Sequence, residues 1–274
     1  MSKVILITGA SRGFGKIWAE AFLKRGDRVV VTGRNIETLQ GLSAQFGDQV
    51  LPVQLDVNDR QACFDAVNKA KEHFGRIDVL INNAGYGLFG AVEETSEQEA
   101  RSQMETNFFG VLWVTQAVIP IMRAQKAGHI IQVSSYLGLI TAPVLGIYNA
   151  SKFAVEGLSE TLAMEVKAFG INVSLVEPNG YATDWSGDSA FQAKSIEVYG
   201  PVKEAFQNAV SVPGFFGQPG ATAEAIIKLV DAPNPPLRLL LGAFAYPSVK
   251  KAYEERLVSF EEWKSVSEAA HGSN

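Results

Sequence analysis

Short apolar runs alternate with longer amphipathic stretches along most of the chain. The runs are Val4–Ile7, Arg28–Thr32, Val50–Gln54, Val79–Ile81, Ile130–Val133, Val173–Val176 and Leu237–Leu241. Each is short, rich in Val, Ile and Leu, and bounded by turn residues, which predicts strands buried on both faces. Between them lie helical patterns with start signals: Asn35 before IETLQGLSAQF, Asn58 with Gln61 before ACFDAVNKAKEHF, and Ser96 with Glu99. Strands alternating with helices pair in parallel through right-handed crossovers. The expected fold is therefore α/β: residues 1–274 form a single-domain, Rossmann-like, doubly wound parallel sheet of about seven strands, with helices on both faces.

Two regions break the alternation. Residues 184–220 carry Gly, Ser, Pro and Phe without clean periodicity, and such a segment inside a compact domain reads as a substrate lid. The second is 245–274, a helical extension near Tyr246–Val266 whose polar end, EAAHGSN, is expected to be disordered.

Composition narrows the classes. With 274 residues, 47% of them hydrophobic, the chain can bury a large core. A net charge of −5 offers no basic surface for nucleic acid or an anionic membrane. No apolar run reaches the ~18 residues of a membrane span. The opening MSKVILITG holds only a short apolar run, too brief for a secretory signal, and Cys63 is the single cysteine. Both features predict a cytoplasmic protein. The three histidines, His73, His129 and His271, are scattered and suggest no metal site.

Residues 8–15, TGASRGFG, follow the first strand and open the first helix. Gly9, Gly13 and Gly15 permit a tight turn and close approach of backbone to a pyrophosphate at the helix N-terminus. The same glycines would also serve a plain tight turn, and Phe14 reads as a packing residue. At the end of the second strand, VVVTGRN has no acid at 32–34 to bind a ribose 2′-hydroxyl. Arg34 stands there, with Arg12 in the turn, and two guanidiniums suit a 2′-phosphate. The alternative for Arg34 is a solvated helix-start residue.

Tyr148 and Lys152, in YNASK, lie four apart and share one helical face. The ammonium is expected to lower the phenol pKa toward working pH, fitting Tyr148 for proton exchange with a carbonyl or alcohol oxygen. Ser135 ends the strand HIIQVSS at the sheet's carboxyl edge, where its hydroxyl can polarise the same oxygen.

The chain resembles the short-chain dehydrogenase/reductase family in its single-domain carbonyl-reductase form. The matching motifs are TGASRGFG, Asp56 after the third strand, NNAG at 82–85, Asn107, Ser135, YNASK and the loop PNGYAT at 178–183. They span about residues 3–183. The resemblance implies Tyr148 as general acid/base and Ser135 as holder of the substrate oxygen. It implies that Lys152 binds the nicotinamide ribose and that Asn107 supports a water-linked proton relay. Asp56 and Val57 would face adenine, while Asn83, Ala84 and Gly85 would line the cofactor through their backbone. Thr183 would hold the carboxamide. Ser11, Phe14, Pro178, Gly180 and Tyr181 complete the expected cofactor contacts, with Gly9, Arg12, Gly13, Gly15 and Arg34. For Asn83 and Asn107 ordinary turn or helix hydrogen bonds are the alternative, and for Asp56 a strand-end cap.

One position departs from the family pattern: Asn179 stands where the family usually has glycine. Asn tolerates left-handed backbone, and its amide is expected to intrude near the nicotinamide or substrate. The substrate wall is expected to be apolar and aromatic, from Tyr86, Leu88, Tyr136, Leu145, Tyr181 and Trp185, with Asn179 beside it, although these side chains could equally serve packing. The expected protein is an NADP(H)-dependent oxidoreductase, reversibly reducing a hydrophobic ketone or aldehyde. The family resemblance implies a homodimer or homotetramer through helices near 104–125 and 150–168. The alternative is a catalytically silent NADP(H)-sensing protein of the same fold.

Overall fold

The computed structural model describes residues 2–183, 185 and 190–272. Seven parallel strands form the main sheet: β1 (Val4–Ile7), β2 (Arg28–Gly33), β3 (Val50–Gln54), β4 (Val79–Asn82), β6 (Gly128–Val133), β7 (Ile171–Pro178) and β9 (Arg238–Leu241). Their spatial order is β3-β2-β1-β4-β6-β7-β9. All seven expected runs are strands, and β6 and β7 extend beyond the apolar runs because neighbours in the sheet pair with their polar ends.

Alternate residues of each strand enter different cores. Ile5, Ile7, Val29, Val31, Val79 and Ile81 pack with Trp18 and Phe22 of α1 (Gly13–Lys24) and Ile226 of α8 (Thr222–Asp231). Leu6, Val30, Leu80 and Ile130 face the other way, onto α3 (Arg60–Phe74), α5 (Gly110–Gln125) and α6 (Gly146–Val166). Both faces of the sheet are covered, so runs without polar alternation are the stable solution. The chain winds outward from β1 to β3, then crosses back to β4, leaving a crevice at the carboxyl ends of β1 and β4.

Three local expectations change. The third helix is capped by Asp59, whose side chain accepts from the Ala62 amide at 2.9 Å, and not by Asn58. Asn35 caps a 3-10 turn, Ile36–Leu39, that precedes α2 (Gln40–Phe46). The 190–220 stretch is more regular than its composition suggests. Its strand β8 (Phe191–Gln192) pairs in parallel with β5 (Leu88–Phe89), and α7 (Gly200–Val210) follows. Residues 184 and 186–189 of the expected lid lie outside the described residues, as do Ser273 and Asn274 of the expected disordered end. Before that, α9 (Ala245–Glu262) is followed by α10 (Lys264–Ala269) and a turn. Ser96 and Glu99 form the expected capping box at the start of α4 (Glu97–Met104).

Candidate active site

The crevice opens into a cleft of about 1020 Å³. Its floor begins at the turn after β1. Thr8 Oγ1 accepts from the amides of Asn83 (2.9 Å) and Ala84 (3.0 Å), while Asn83 Nδ2 donates to the Thr8 and Gly9 carbonyls. These bonds splice the glycine turn to the end of β4. Gly9 has φ +67°, and a Cβ there would stand 2.9 Å from Ala84 Cα. Gly15 is packed against Gly9 O and Asn83 Nδ2, so it shapes the turn from behind the cleft. Gly13, also left-handed, faces open space.

Arg12 occupies the N-cap of α1 without a side-chain capping bond, which leaves the first-turn amides to an outside acceptor. That bare helix start, the glycine cradle and the exposed Arg12 and Arg34 on the same cleft fit a dinucleotide phosphate. Phe14 packs, as expected, stacking on Trp18 at 5.0 Å with Tyr181 edge-on at 5.2 Å. Asp56 and Val57 line the cleft; the Asp56 carboxylate already accepts from the Asn58 amide at 3.0 Å.

The three reactive side chains converge deeper in. Ser135 caps the 136–138 turn: its hydroxyl accepts from the Leu137 amide (3.1 Å) and donates to Pro178 O (3.4 Å). Tyr148 and Lys152 come from the first two turns of α6, 5% and 6% exposed. Lys152 Nζ donates to Val133 O at 2.9 Å and lies 5.7 Å from the Tyr148 ring centre. The electrostatics differ from expectation. Burial drives the Tyr148 phenol well above its usual pKa, the Ser135 hydroxyl only partly opposing it. Burial also pulls Lys152 down to about 8, with Glu156 opposing. In this pocket the cost of removing the phenolate charge from water dominates, which favours the protonated phenol of Tyr148.

Asn107 is fully buried in a π turn, Glu105–Phe109, between α4 and α5. Its amide accepts from Tyr86 N (3.1 Å) and donates to Tyr86 O (3.0 Å) and Ser151 Oγ (3.2 Å). It thereby fastens the loop after NNAG to α6. Asn179 lines the cleft with an ordinary, not left-handed, backbone, and its Nδ2 donates to Gly180 O and Phe215 O, both at 2.9 Å.

Tyr86, Leu88, Tyr136, Leu145, Tyr181, Thr183 and Trp185 all border the cleft, together with Ser11, Ala84, Gly85, Pro178 and Gly180. Trp185 lies 4.9 Å from the Tyr148 ring and 5.5 Å from Phe89, seated over Gly87, where a Cβ would meet its ring at 2.7 Å. Sequence reasoning missed Phe89, Phe191, Phe206 and Phe215 in the wall. It also missed Val144, a β-branched residue at φ +69° just before α6. That conformation costs on the order of 1–3 kcal/mol and is typical of sites whose geometry is imposed by surroundings.

The short chain dehydrogenase family model matches residues 3–193. The chain belongs to the short-chain dehydrogenase family. This short-chain dehydrogenase is 43% identical over 273 residues to "Oxidoreductase BOA17" of Botryotinia fuckeliana, covering 98% of this chain and all of that one. It is 39% identical over 243 residues to a 3-ketodihydrosphingosine reductase of Bacteroides thetaiotaomicron, 88% of each chain being covered. A solved short-chain dehydrogenase from Streptomyces avermitilis superposes with a TM-score of 0.91 at 36% identity, covering 98% of this chain and 100% of that one. Related solved structures carry either cofactor type. A Thermococcus sibiricus alcohol dehydrogenase holds 5-hydroxy-NADP (TM-score 0.73, 26% identity, 89% and 98% covered). A Burkholderia phymatum relative holds NAD (TM-score 0.79, 27% identity, 95% and 94% covered). No helix among the described residues of this short-chain dehydrogenase is long and apolar enough to cross a membrane.

Proposed function

We propose that this oxidoreductase is an NADPH-dependent ketoreductase acting on a hydrophobic ketone or aldehyde, with Tyr148 as its general acid. The observation that carries this reading is the convergence of Ser135, Tyr148 and Lys152 beneath an aromatic wall of Trp185, Phe89 and Tyr136. Bound NADPH would supply the hydride. The first-turn amides of α1 would hold its phosphates, Arg12 and Arg34 its 2′-phosphate, and Lys152 its nicotinamide ribose. The Ser135 hydroxyl would turn from Pro178 O to the substrate oxygen and orient it. Tyr148 Oη would then deliver its proton to that oxygen as charge develops there. A phenol held protonated by burial suits the reducing direction. The mostly apolar wall supports a substrate whose bulk is hydrocarbon or aromatic, and the relative named as a 3-ketodihydrosphingosine reductase is in keeping with a keto substrate. A spectrophotometric screen of aromatic and aliphatic ketones with NADPH and NADH tests the reading. Oxidation of NADPH by apolar ketones is expected; no turnover across the panel would overturn it.

A further inference from the structure

Behind the Tyr148–Lys152 face, α6 carries Glu156 one turn beyond Lys152, and β7 carries Glu177 directly before the Pro178–Gly180 loop. The Glu177 side chain has no exposed surface and that of Glu156 is 6% exposed. The cation facing them is Arg238 of β9. Its Nε lies 3.2 Å from Glu156 Oε2 and 3.4 Å from Glu177 Oε1, while a terminal nitrogen goes 2.9 Å to Glu160. One guanidinium thus serves three carboxyl groups. Arg238 apart, Glu156 Oε1 and both Glu177 oxygens find no hydrogen-bonding partner among the described residues, and Arg238 reaches Glu177 only as an ion-pair contact. Ser134 Oγ and Glu156 Oε1 both crowd Gly138: a Cβ there would stand 2.8 and 3.1 Å from them.

Two buried carboxylates with one shared cation are costly when both are ionised. A single proton between them turns one carboxyl into a donor for the other and leaves a net charge that Arg238 can match. We propose that Glu156 and Glu177 share one proton at neutral pH, and that the pair is a positioning unit whose charge sets how firmly Lys152 keeps its own proton. Burial and the adjoining Glu156 push Glu177 above the usual carboxylate range, and burial raises Glu156 as well. The charged and titratable groups facing the pair are Lys152 and Glu160 on α6 and Arg238 on β9. The residue before Ser135 adds the Ser134 hydroxyl.

The role rests on the proposed function, in which Lys152 holds the cofactor ribose, but its test does not require turnover. Glu156→Gln leaves the pair's single negative charge on Glu177, off the helix position one turn from Lys152, so Lys152 should lose its proton at lower pH. In Glu177→Gln the amide can donate to Glu156, fixing the negative charge there, so Lys152 should keep its proton at least as long as in the parent. NADPH affinity, read by fluorescence titration from neutral to alkaline pH, should weaken at a pH lower by roughly one unit in Glu156→Gln and show no such fall in Glu177→Gln. Equal movement in both variants, or none in Glu156→Gln, would overturn the positioning role. Infrared spectra of the unsubstituted protein test the shared proton separately. A carboxylic-acid carbonyl band that shifts in D2O should be present at neutral pH and lost in Glu177→Gln. Its absence from the parent overturns the shared proton even if a variant fails to fold. Failure of every ketone to react, with the band present and the affinity shifts as stated, would count against the proposed reaction alone.

Discussion

Lys203 of α7 reaches Glu94 at 2.7 Å, and the Glu94 side chain it meets has no exposed surface. The same carboxylate accepts from the Ile196 amide at 2.6 Å and from the Ala91 amide at 2.7 Å. One buried acid therefore holds the segment bearing Phe191 and Phe206 against the body of the protein. These bonds keep the Glu94 carboxyl down at about 2, so the latch stays charged at every physiological pH.

Glu94→Gln keeps the shape but weakens three charge-assisted bonds. The wall carried by Phe191 and Phe206 should loosen, raising KM for ketone by roughly tenfold while kcat falls less, because the reactive groups sit on other elements. Limited proteolysis should also show faster cleavage within 190–210. Unchanged KM and cleavage would show that Glu94 does not govern this wall.

Acid stability should depend on His129. It is buried, and desolvation lowers its pKa from 6.5 to about 4. Its Nε2 lies 2.9 Å from Ser174 Oγ, whose own proton goes to Pro236 O, so Nε2 donates, and burial favours the neutral ring. The unfolded chain takes up a proton near 6.5 while the folded one resists until about 4. The stabilisation is thus complete above 6.5 and is lost as pH falls from 6.5 toward 4, on the order of 3 kcal/mol in all. Urea midpoints at pH 7.5 and 5 should differ accordingly, and His129→Gln should flatten that difference. An equal slope in the variant would contradict this assignment.

Cofactor choice should follow Arg12 and Arg34. Both are exposed, so solvent softens the penalty for NADH, and a preference for NADPH of roughly ten- to a hundredfold in kcat/KM is expected. Arg34→Asp should shrink or reverse it, chiefly through KM for NADPH. Kinetics with both cofactors at one ionic strength decide the matter; an unchanged ratio would make Arg34 a surface residue only.

The main sheet was legible in the sequence because strands covered on both faces carry uninterrupted Val, Ile and Leu. That the glycine turn, Ser135 and the Tyr148–Lys152 pair meet on one cleft was legible because their residue types recur at fixed spacing around the ends of the strands. Elements held by distant partners were not. β5 and β8 have two residues each, and their pairing depends on a contact about a hundred residues apart. Helix α7 did leave a trace, Val202, Phe206 and Val210 repeating every four residues, hidden among prolines and glycines. Glu94, Glu156 and Glu177 read as ordinary charges until the fold buries them. The direction of the Tyr148 shift was misjudged for the same reason: spacing shows a neighbouring ammonium, while only the packed structure shows the lost water.

The central claim is that Tyr148 supplies the proton, and Tyr148→Phe tests it most directly. The ring and its packing against Trp185 remain while the transferable proton is gone. Single-turnover ketone reduction should fall by roughly two or more decades with NADPH affinity nearly unchanged. Reduction at close to the parent rate, with cofactor bound, would contradict it.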